Sequence, residues 1–420
     1  MKEKKQLKSK ADNPKGKEAG KIEKEKPERK EADFSSKEVL DTAKEILGKR
    51  DVCLNCLGRQ FGALGHGFTN KERAEKILEN LKTKVKTDYC EICDNLFADL
   101  DEIANKTIDK LKEIEFKTFV VGTKLSHETI LREETLWEDV AIEHCEPIKS
   151  ELNRELGKLI SKKLEKLKKG IEVDEGNPDV VVLLDTEEKN TRLSINPLFV
   201  YGGYKKLVRG LPQTKWETYK ETVEDIMAIP FMRETKGMEH ALHGMGREDI
   251  DARCLDWRPF VFEVVRPKKR SVDLEKIAKE INKTGKVEVS DLRFSNKQEV
   301  REIKAAKPDK TYRLIVNFEK EVTEKDLEKL KSLKGKTIKQ QTPQRVLHRR
   351  ADKTRPRKVK EITWKILDKN KVEFEVKGEA GLYAKELVHG DNGRTKPSIS
   401  EILGIPAKVE ELDVIKIWIK

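Results

Sequence analysis

Apolar positions first recur with a helical period at Val39, Leu40, Ala43, Ile46 and Leu47. Ser35 with Glu38 ahead of them has the form of a capping box. Thr69 with Glu72 repeats that signal before Ala74, Ile77, Leu78 and Leu81. Leu100, Ile103, Ile108 and Leu111 mark a third helix, and 152–167 reads as a long lysine-rich one. Between and after these lie β-type runs at 116–121, 180–184 and 193–200, so the first ordered half is α+β. A linker is expected at 211–216. Beyond it the strand pattern dominates, at 259–265, 286–294, 312–318, 337–342 and 414–419. The runs 358–366 and 372–377 flank turn residues at 368–370 and predict a hairpin, while 273–281 and 323–333 read as helices. No solenoid repeat is visible. The expected fold class is α+β, with a large mixed sheet and packed helices in the second half. The expected domains are a charged tail at 1–34, a first domain at 35–215 and a second at 216–420.

Composition changes this picture at the N-terminus and at the surface. Residues 1–33 hold twelve Lys/Arg and eight Asp/Glu, and the few apolar positions cannot offset chain entropy, so the tail is expected to be disordered. Across 420 residues, 89 Lys+Arg exceed 77 Asp+Glu, a net charge of +12 that favours a polyanionic partner, nucleic acid foremost. Dense surface charge also occurs as a heat adaptation without any ligand. No run approaches the length of a membrane span and no signal peptide is visible, so a cytoplasmic protein is expected.

Four of the six cysteines fall in two pairs that carry chemistry. Cys53-Leu-Asn-Cys56 and Cys90-Glu-Ile-Cys93 are CxxC pairs, each able to aim two thiolates at one ion. Together Cys53, Cys56, Cys90 and Cys93 complete a four-sulfur set with no open coordination position, which points to a structural zinc. Their separation exceeds that of a zinc ribbon and leaves room for the helix after Thr69. Cys145 and Cys254 stand alone and read as ordinary buried thiols.

The second half carries a loop in which Gly244 and Gly246 precede Arg247, Glu248, Asp249, Asp251 and Arg253. Two glycines permit a tight turn, and guanidinium groups among the carboxylates favour an ionised Asp. A salt-bridged surface turn has the same composition. The run from Arg345 to Lys360 adds eight Lys/Arg and His348 against the single acid Asp352, a pattern suited to tracking phosphates.

Gly246-Arg-Glu-Asp-Ile-Asp-Ala-Arg253 followed by Arg258-Pro-Phe-Val261 closely resembles the active-site motif of the Pus10 family of tRNA pseudouridine synthases. The likeness extends to Cys53–Gly62 as a first zinc half-site and to 196–213 as the end of a THUMP-containing domain. The stretches 341–352 and 378–394 resemble later catalytic-domain motifs. The sequence departs from the family at Cys254-Leu-Asp-Trp-Arg258 and at Gly381-Leu382.

The resemblance implies a pseudouridine synthase core, a mixed, mainly antiparallel sheet with flanking helices and a central cleft. A zinc-binding, THUMP-containing α+β domain would precede it. It implies that Asp249 is the nucleophile, that Tyr312 stacks on the target base, that Lys385 pairs with Asp249, and that Leu387 lies against the ring. Arg209, Arg247, Arg253, Arg345, Arg349 and Arg350 are the expected RNA contacts. The implied substrate is the T arm of tRNA at uridines 54 and 55, handled by a monomer without a catalytic cofactor. THUMP domains also precede methyltransferases and thiouridine synthetases, but neither a GxGxxG fingerprint nor a P-loop is present. The remaining alternative is a tRNA-binding scaffold or chaperone that keeps the fold without turnover.

Overall fold

Ser36, rather than Ser35, caps the first helix. Its hydroxyl accepts from the Val39 amide at 3.4 Å, while the Ser35 hydroxyl bonds Asp33 instead. Helix α1 then runs Lys37–Lys49 and buries Val39, Ala43 and Ile46. The computed structural model describes residues 33–85, 88–140, 145–167, 170–216 and 218–419; the charged tail lies outside them apart from its last two residues. Helices α2 (Leu54–Gly58) and α3 (Asn70–Leu81) follow, the latter opened by the Thr69–Glu72 capping box that the sequence predicts. Gly58 permits their close approach, since a Cβ there would sit 1.7 Å from the Asn70 carbonyl oxygen. These helices and the segment Leu131–Ile148 form one compact unit.

The second unit begins with α4 (Leu96–Leu111), β1 (Thr118–Lys124), the start of α5 (His127–Asp139) and, from Lys149 on, α6 (Ile148–Leu167). With β2 (Glu172–Val173), β3 (Val180–Asp185) and β4 (Asn190–Ile195), β1 forms a four-stranded sheet in the order β2-β1-β3-β4. Strand β1 runs parallel to both of its neighbours, and β3 pairs antiparallel with β4.

The run 193–200 does not form one strand. It breaks at Asn196–Pro197, and β5 (Leu198–Lys206) joins a different, ten-stranded sheet. The change from the small sheet to the large one therefore falls ahead of the linker read at 211–216. Proline supplies no N–H for a ladder and so separates the two pairings.

The large sheet takes in β6 (Glu239–Gly244), β7 (Arg253–Val265), β8 (Val287–Ser295) and β9 (Asp309–Phe318). To these it adds β10 (Thr337–Gln341), β11 (Thr354–Asp368), β12 (Lys371–Gly378), β13 (Thr395–Lys396) and β14 (Ala407–Trp418). Its order is β13-β10-β11-β12-β9-β14-β7-β5-β8, with β6 also on β7. Every ladder is antiparallel except β7 with β14. The sheet is thus mixed and mainly antiparallel, and β11–β12 is the expected hairpin.

Helix α7 (Val223–Thr235) lies between β5 and β6, α8 (Leu274–Asn282) between β7 and β8, and α9 (Lys297–Ala305) between β8 and β9. One core under α7 and α8 gathers Tyr204, Phe231, Phe260, Phe262 and Val287. Phe231 and Phe262 stack with ring centroids 4.7 Å apart. Another core holds Leu314, Val316, Phe374, Val376 and Ile399. It underlies α10 (Glu324–Leu327), α11 (Ala384–His389) and α12 (Ile399–Leu403). Alternation along β9 sends Lys310, Tyr312, Leu314, Val316 and Phe318 inward.

Candidate functional site

The four cysteines of the two CxxC pairs come together in the first unit, with all four Sγ atoms within 4.8 Å of one another. Cys53 is the N-cap of α2, and its sulfur accepts from the Cys56 amide at 3.4 Å, so the helix start presents both thiols on one side. The second pair is turned by Asp94 and Asn95, both at positive φ, and the Asn95 side chain accepts from the Cys90 amide at 2.8 Å. A tetrahedral ion with bonds of about 2.3 Å would set sulfurs about 3.8 Å apart. Cys53 and Cys93 stand at 3.8 Å. The residues fit a closed, four-sulfur metal site.

The second site lies on the loop between β6 and β7. Gly246 has φ 79°, and a Cβ on it would fall 2.9 Å from Lys310 Nζ; one on Gly244 would fall 2.7 Å from Gln213 Nε2. Gly246 is required by its left-handed backbone, while at Gly244 a Cβ would have to displace the end of the Gln213 side chain. The loop carries Asp249 to the edge of a cavity of about 230 Å³, walled by Pro212, Trp216, Arg247, Arg345, His348 and Lys385 among others. Segment 211–216, read as a linker from sequence, is thus a wall of this cavity. Gln213 is its anchor, donating to Tyr204 Oη at 2.7 Å and to the Gly246 carbonyl at 3.0 Å.

Two cations face the Asp249 carboxylate. Arg345 Nη1 donates to its Oδ1 at 2.9 Å, and Lys385 Nζ lies 3.9 Å from its Oδ2. Lys385 is nearer to Asp251, donating to both of its oxygens at 2.7 and 2.6 Å. The pairing expected between Lys385 and Asp249 is therefore divided, and the hydrogen-bonded cation on Asp249 is Arg345. That arginine is itself held from α11: buried Glu386 accepts from its Nε at 2.7 Å and from its Nη2 at 3.4 Å. Burial alone would raise the Asp251 pKa, but the Lys385 ammonium more than offsets it and the net shift is downward. Arg345 reaches Asp249 across 96 positions of sequence, so no local pattern announces the contact.

The other arginines expected to meet RNA divide by place. Arg247 lines the cavity and bonds Thr214 and Gln213. Arg350 donates to Tyr383 Oη at 3.0 Å. Arg253 and Arg209 instead converge on Asp413, a fully buried carboxylate of β14 that Arg313 also meets. There Arg253 ties β7 to β14, and Arg209 ties the segment after β5 to β14. The side chain of Arg349 lies outside the described residues.

Tyr312 is 8% exposed and Leu387 fully buried, both in the core beneath the loop, and neither is on the cavity wall. Burial, reinforced by the Asp249 charge, pushes the Tyr312 phenol up to about 12. Glu248 is buried as well, with Arg258 Nη2 at 3.1 Å and the Tyr204 hydroxyl donating at 3.1 Å. It is an anchor of the loop, not the exposed carboxylate its neighbours in sequence suggest.

Lys310 has a further consequence. Burial, with Arg258 nearby, pulls its ammonium down from 10.5 to about 8. Above 10.5 the group is neutral both folded and unfolded; as pH falls, the unfolded chain binds the proton first and stability is lost until the folded pKa near 8 is passed. Lys310→Met is therefore expected to be more stable than wild type at pH 7, with the gap closing between pH 8 and 10. Urea midpoints of the two proteins across that range test this, and a gap independent of pH would contradict it.

The family model for the C-terminal region of Pus10 matches residues 199–418, and that for the archaeal Pus10 THUMP domain matches residues 103–185. Among curated relatives, the chain is 41% identical over 386 residues to the tRNA pseudouridine synthase Pus10 of Pyrococcus furiosus, covering 90% of this chain and 98% of that one. It is 39% identical over 435 residues to the tRNA pseudouridine synthase Pus10 of Methanothrix thermoacetophila, covering 90% and 94% respectively. Among solved structures, a Cbf5-Nop10-Gar1 complex aligns over 51% of this chain and 48% of that chain, at 20% identity and a TM-score of 0.32.

Proposed function

The chain belongs to the Pus10 family of tRNA pseudouridine synthases, and from that premise we propose that it isomerises uridine to pseudouridine in the T arm of tRNA, at positions 54 and 55, with Asp249 as the catalytic group. The observation that carries the reading is the Asp249 carboxylate, set at a cavity and faced by Arg345 at 2.9 Å and Lys385 at 3.9 Å. The reaction breaks the C1′–N1 bond and forms C1′–C5, with one proton leaving C5 and one gained at N1. Reactant and product have the same atoms and oxidation state, so side chains suffice. The Asp249 carboxylate either attacks C1′ or takes the 2′ proton to give a glycal, and in either route Arg345 and Lys385 face it. The uridine leaves its stack to reach the cavity, whose lining includes Trp216 and His348. Arg247 and Arg350 are read as contacts to backbone phosphates.

We also read the four-sulfur site as a structural zinc and the enzyme as a cytoplasmic monomer. Tritium released from C5-labelled uridine in an unmodified tRNA transcript is the direct assay, with pseudouridine mapping to identify the positions. No release from any tRNA would leave the chain a tRNA-binding scaffold.

The cation geometry yields a graded expectation. A charge-assisted hydrogen bond is worth about 1.5–3 kcal/mol, so Arg345→Met should slow single-turnover isomerisation roughly ten- to a hundredfold. Lys385→Met should cost less, because Arg345 remains on Asp249. Asp251→Asn releases Lys385 and should cost least. Rates measured side by side at saturating enzyme decide the order, and a Lys385→Met defect larger than that of Arg345→Met would return the principal role to the lysine.

A further inference from the structure

Lys206 closes β5 with a fully buried side chain on a face that carries Tyr204 and meets Arg258 and Cys254 of β7. An ammonium has three N–H donors and no acceptor. Here Lys206 Nζ lies within bonding distance of three backbone oxygens: Leu211 at 2.8 Å, Asp249 at 3.0 Å and Ile250 at 3.1 Å. Two belong to the loop of the proposed nucleophile. The third opens the 211–216 segment, which lines the same cavity. Glu248 Oε1, 4.0 Å away, is the counter-charge, and it too comes from the Asp249 loop.

Resting on the functional reading above, we infer that Lys206 is the positioning residue of the reaction. It clamps the Asp249 backbone to the 211–216 wall and so fixes the distance between nucleophile and bound uridine. The clamp is not needed merely to satisfy the loop. The Asp249 carbonyl also accepts from the Ala252 amide at 3.1 Å, and the Ile250 carbonyl from the Gly210 amide at 2.9 Å. What Lys206 adds is a single cation shared by both walls. Around it the loop is held at other points by different side chains: the Met245 carbonyl by Arg258 Nη1 at 2.9 Å, and the Gly246 carbonyl by Gln213 at 3.0 Å. Those contacts keep the loop folded when the clamp is cut, while the aspartate loses its fixed reach. Misplacement of a reacting group by about 1 Å costs on the order of a hundredfold in rate.

The test compares wild type, Lys206→Met and Lys205→Met by single-turnover isomerisation of tRNA, at a temperature well below each melting point. The dissociation constant for the same tRNA is measured in parallel. Lys205 points to the opposite face of the strand, its ammonium 3.9 Å from the centre of the Trp257 ring, and its substitution is the neutral control. The expected result is a rate about a hundredfold lower in Lys206→Met, with tRNA affinity within about twofold of wild type. A residue that only stabilises the fold would leave the rate unchanged far below melting. If Lys206→Met does not fold, Lys206→Gln, which keeps part of the hydrogen bonding without the charge, is judged by the same criterion. An active wild type with an equally fast Lys206 variant overturns the inference alone. An inactive wild type overturns the functional reading, and the inference with it.

Discussion

Asp249→Asn should leave tRNA affinity near wild type and abolish pseudouridine formation, with a single-turnover rate at least about 10⁴-fold lower. The asparagine side chain has the same shape and keeps hydrogen-bonding capacity toward Arg345, so the loop and its anchors at Glu248 and Gln213 stay in place. What is lost is the negative charge, and with it the power to attack C1′ or accept a proton. Binding survives because it is spread over many phosphate contacts, none of which is made by a carboxylate. Asp251→Asn is the internal comparison: that side chain is exposed and paired with Lys385. Activity that persists in Asp249→Asn and disappears in Asp251→Asn would refute the assignment of the nucleophile.

Loss of the four-sulfur ion should have the second largest effect, and it should be confined to the first unit. Metal analysis is expected to find one zinc per chain. Cys56→Ser, or removal of the ion by a strong chelator, should expose or unfold the α1–α3 region. The sulfurs are gathered from two turns far apart in sequence, and binding free energy at such sites is folding free energy. The large sheet has its own cores and keeps its melting transition. Calorimetry that resolves the two transitions, together with amide exchange over 37–95, separates the outcomes. Metal-free protein with an unchanged first transition would sink the zinc reading, as would a Cys56→Ser variant that melts like wild type.

Periodicity was most reliable where one face is buried and the chain pairs nearby. Helices α3, α4 and α8, the β11–β12 hairpin and the inward alternation of β9 all follow from apolar spacing and turn chemistry. It failed where burial is not one-sided. Helix α7 carries Pro230 and buries Val223, Ile226, Met227, Ala228 and Phe231, so no polar stripe marks it. The cap of α1 shifted by one residue because Ser35 and Ser36 are equivalent in sequence, and only the Val39 amide chooses between them.

The same division runs through the sites. The CxxC pairs, and Asp249 after its two glycines and flanked by arginines, are local patterns, and local patterns declare chemistry. The sequence by itself therefore determined the kind of groups present: four soft ligands, an aspartate in a tight loop of mixed charge, a basic run beyond it. Which cation meets which carboxylate was decided only by tertiary structure. Arg345 reaches Asp249 from a 3-10 helix across the sheet, Lys385 turns toward Asp251, and Arg209 and Arg253 are drawn to a buried Asp413. Segment 211–216 looks like a linker because Pro212 and the polar run Gln213-Thr-Lys215 interrupt the β pattern, yet Lys206 and Gln213 tie it to the Asp249 loop. Ion pairs and buried hydrogen bonds depend on distance in space and on exclusion of water. A sequence records neither until the strands are in register.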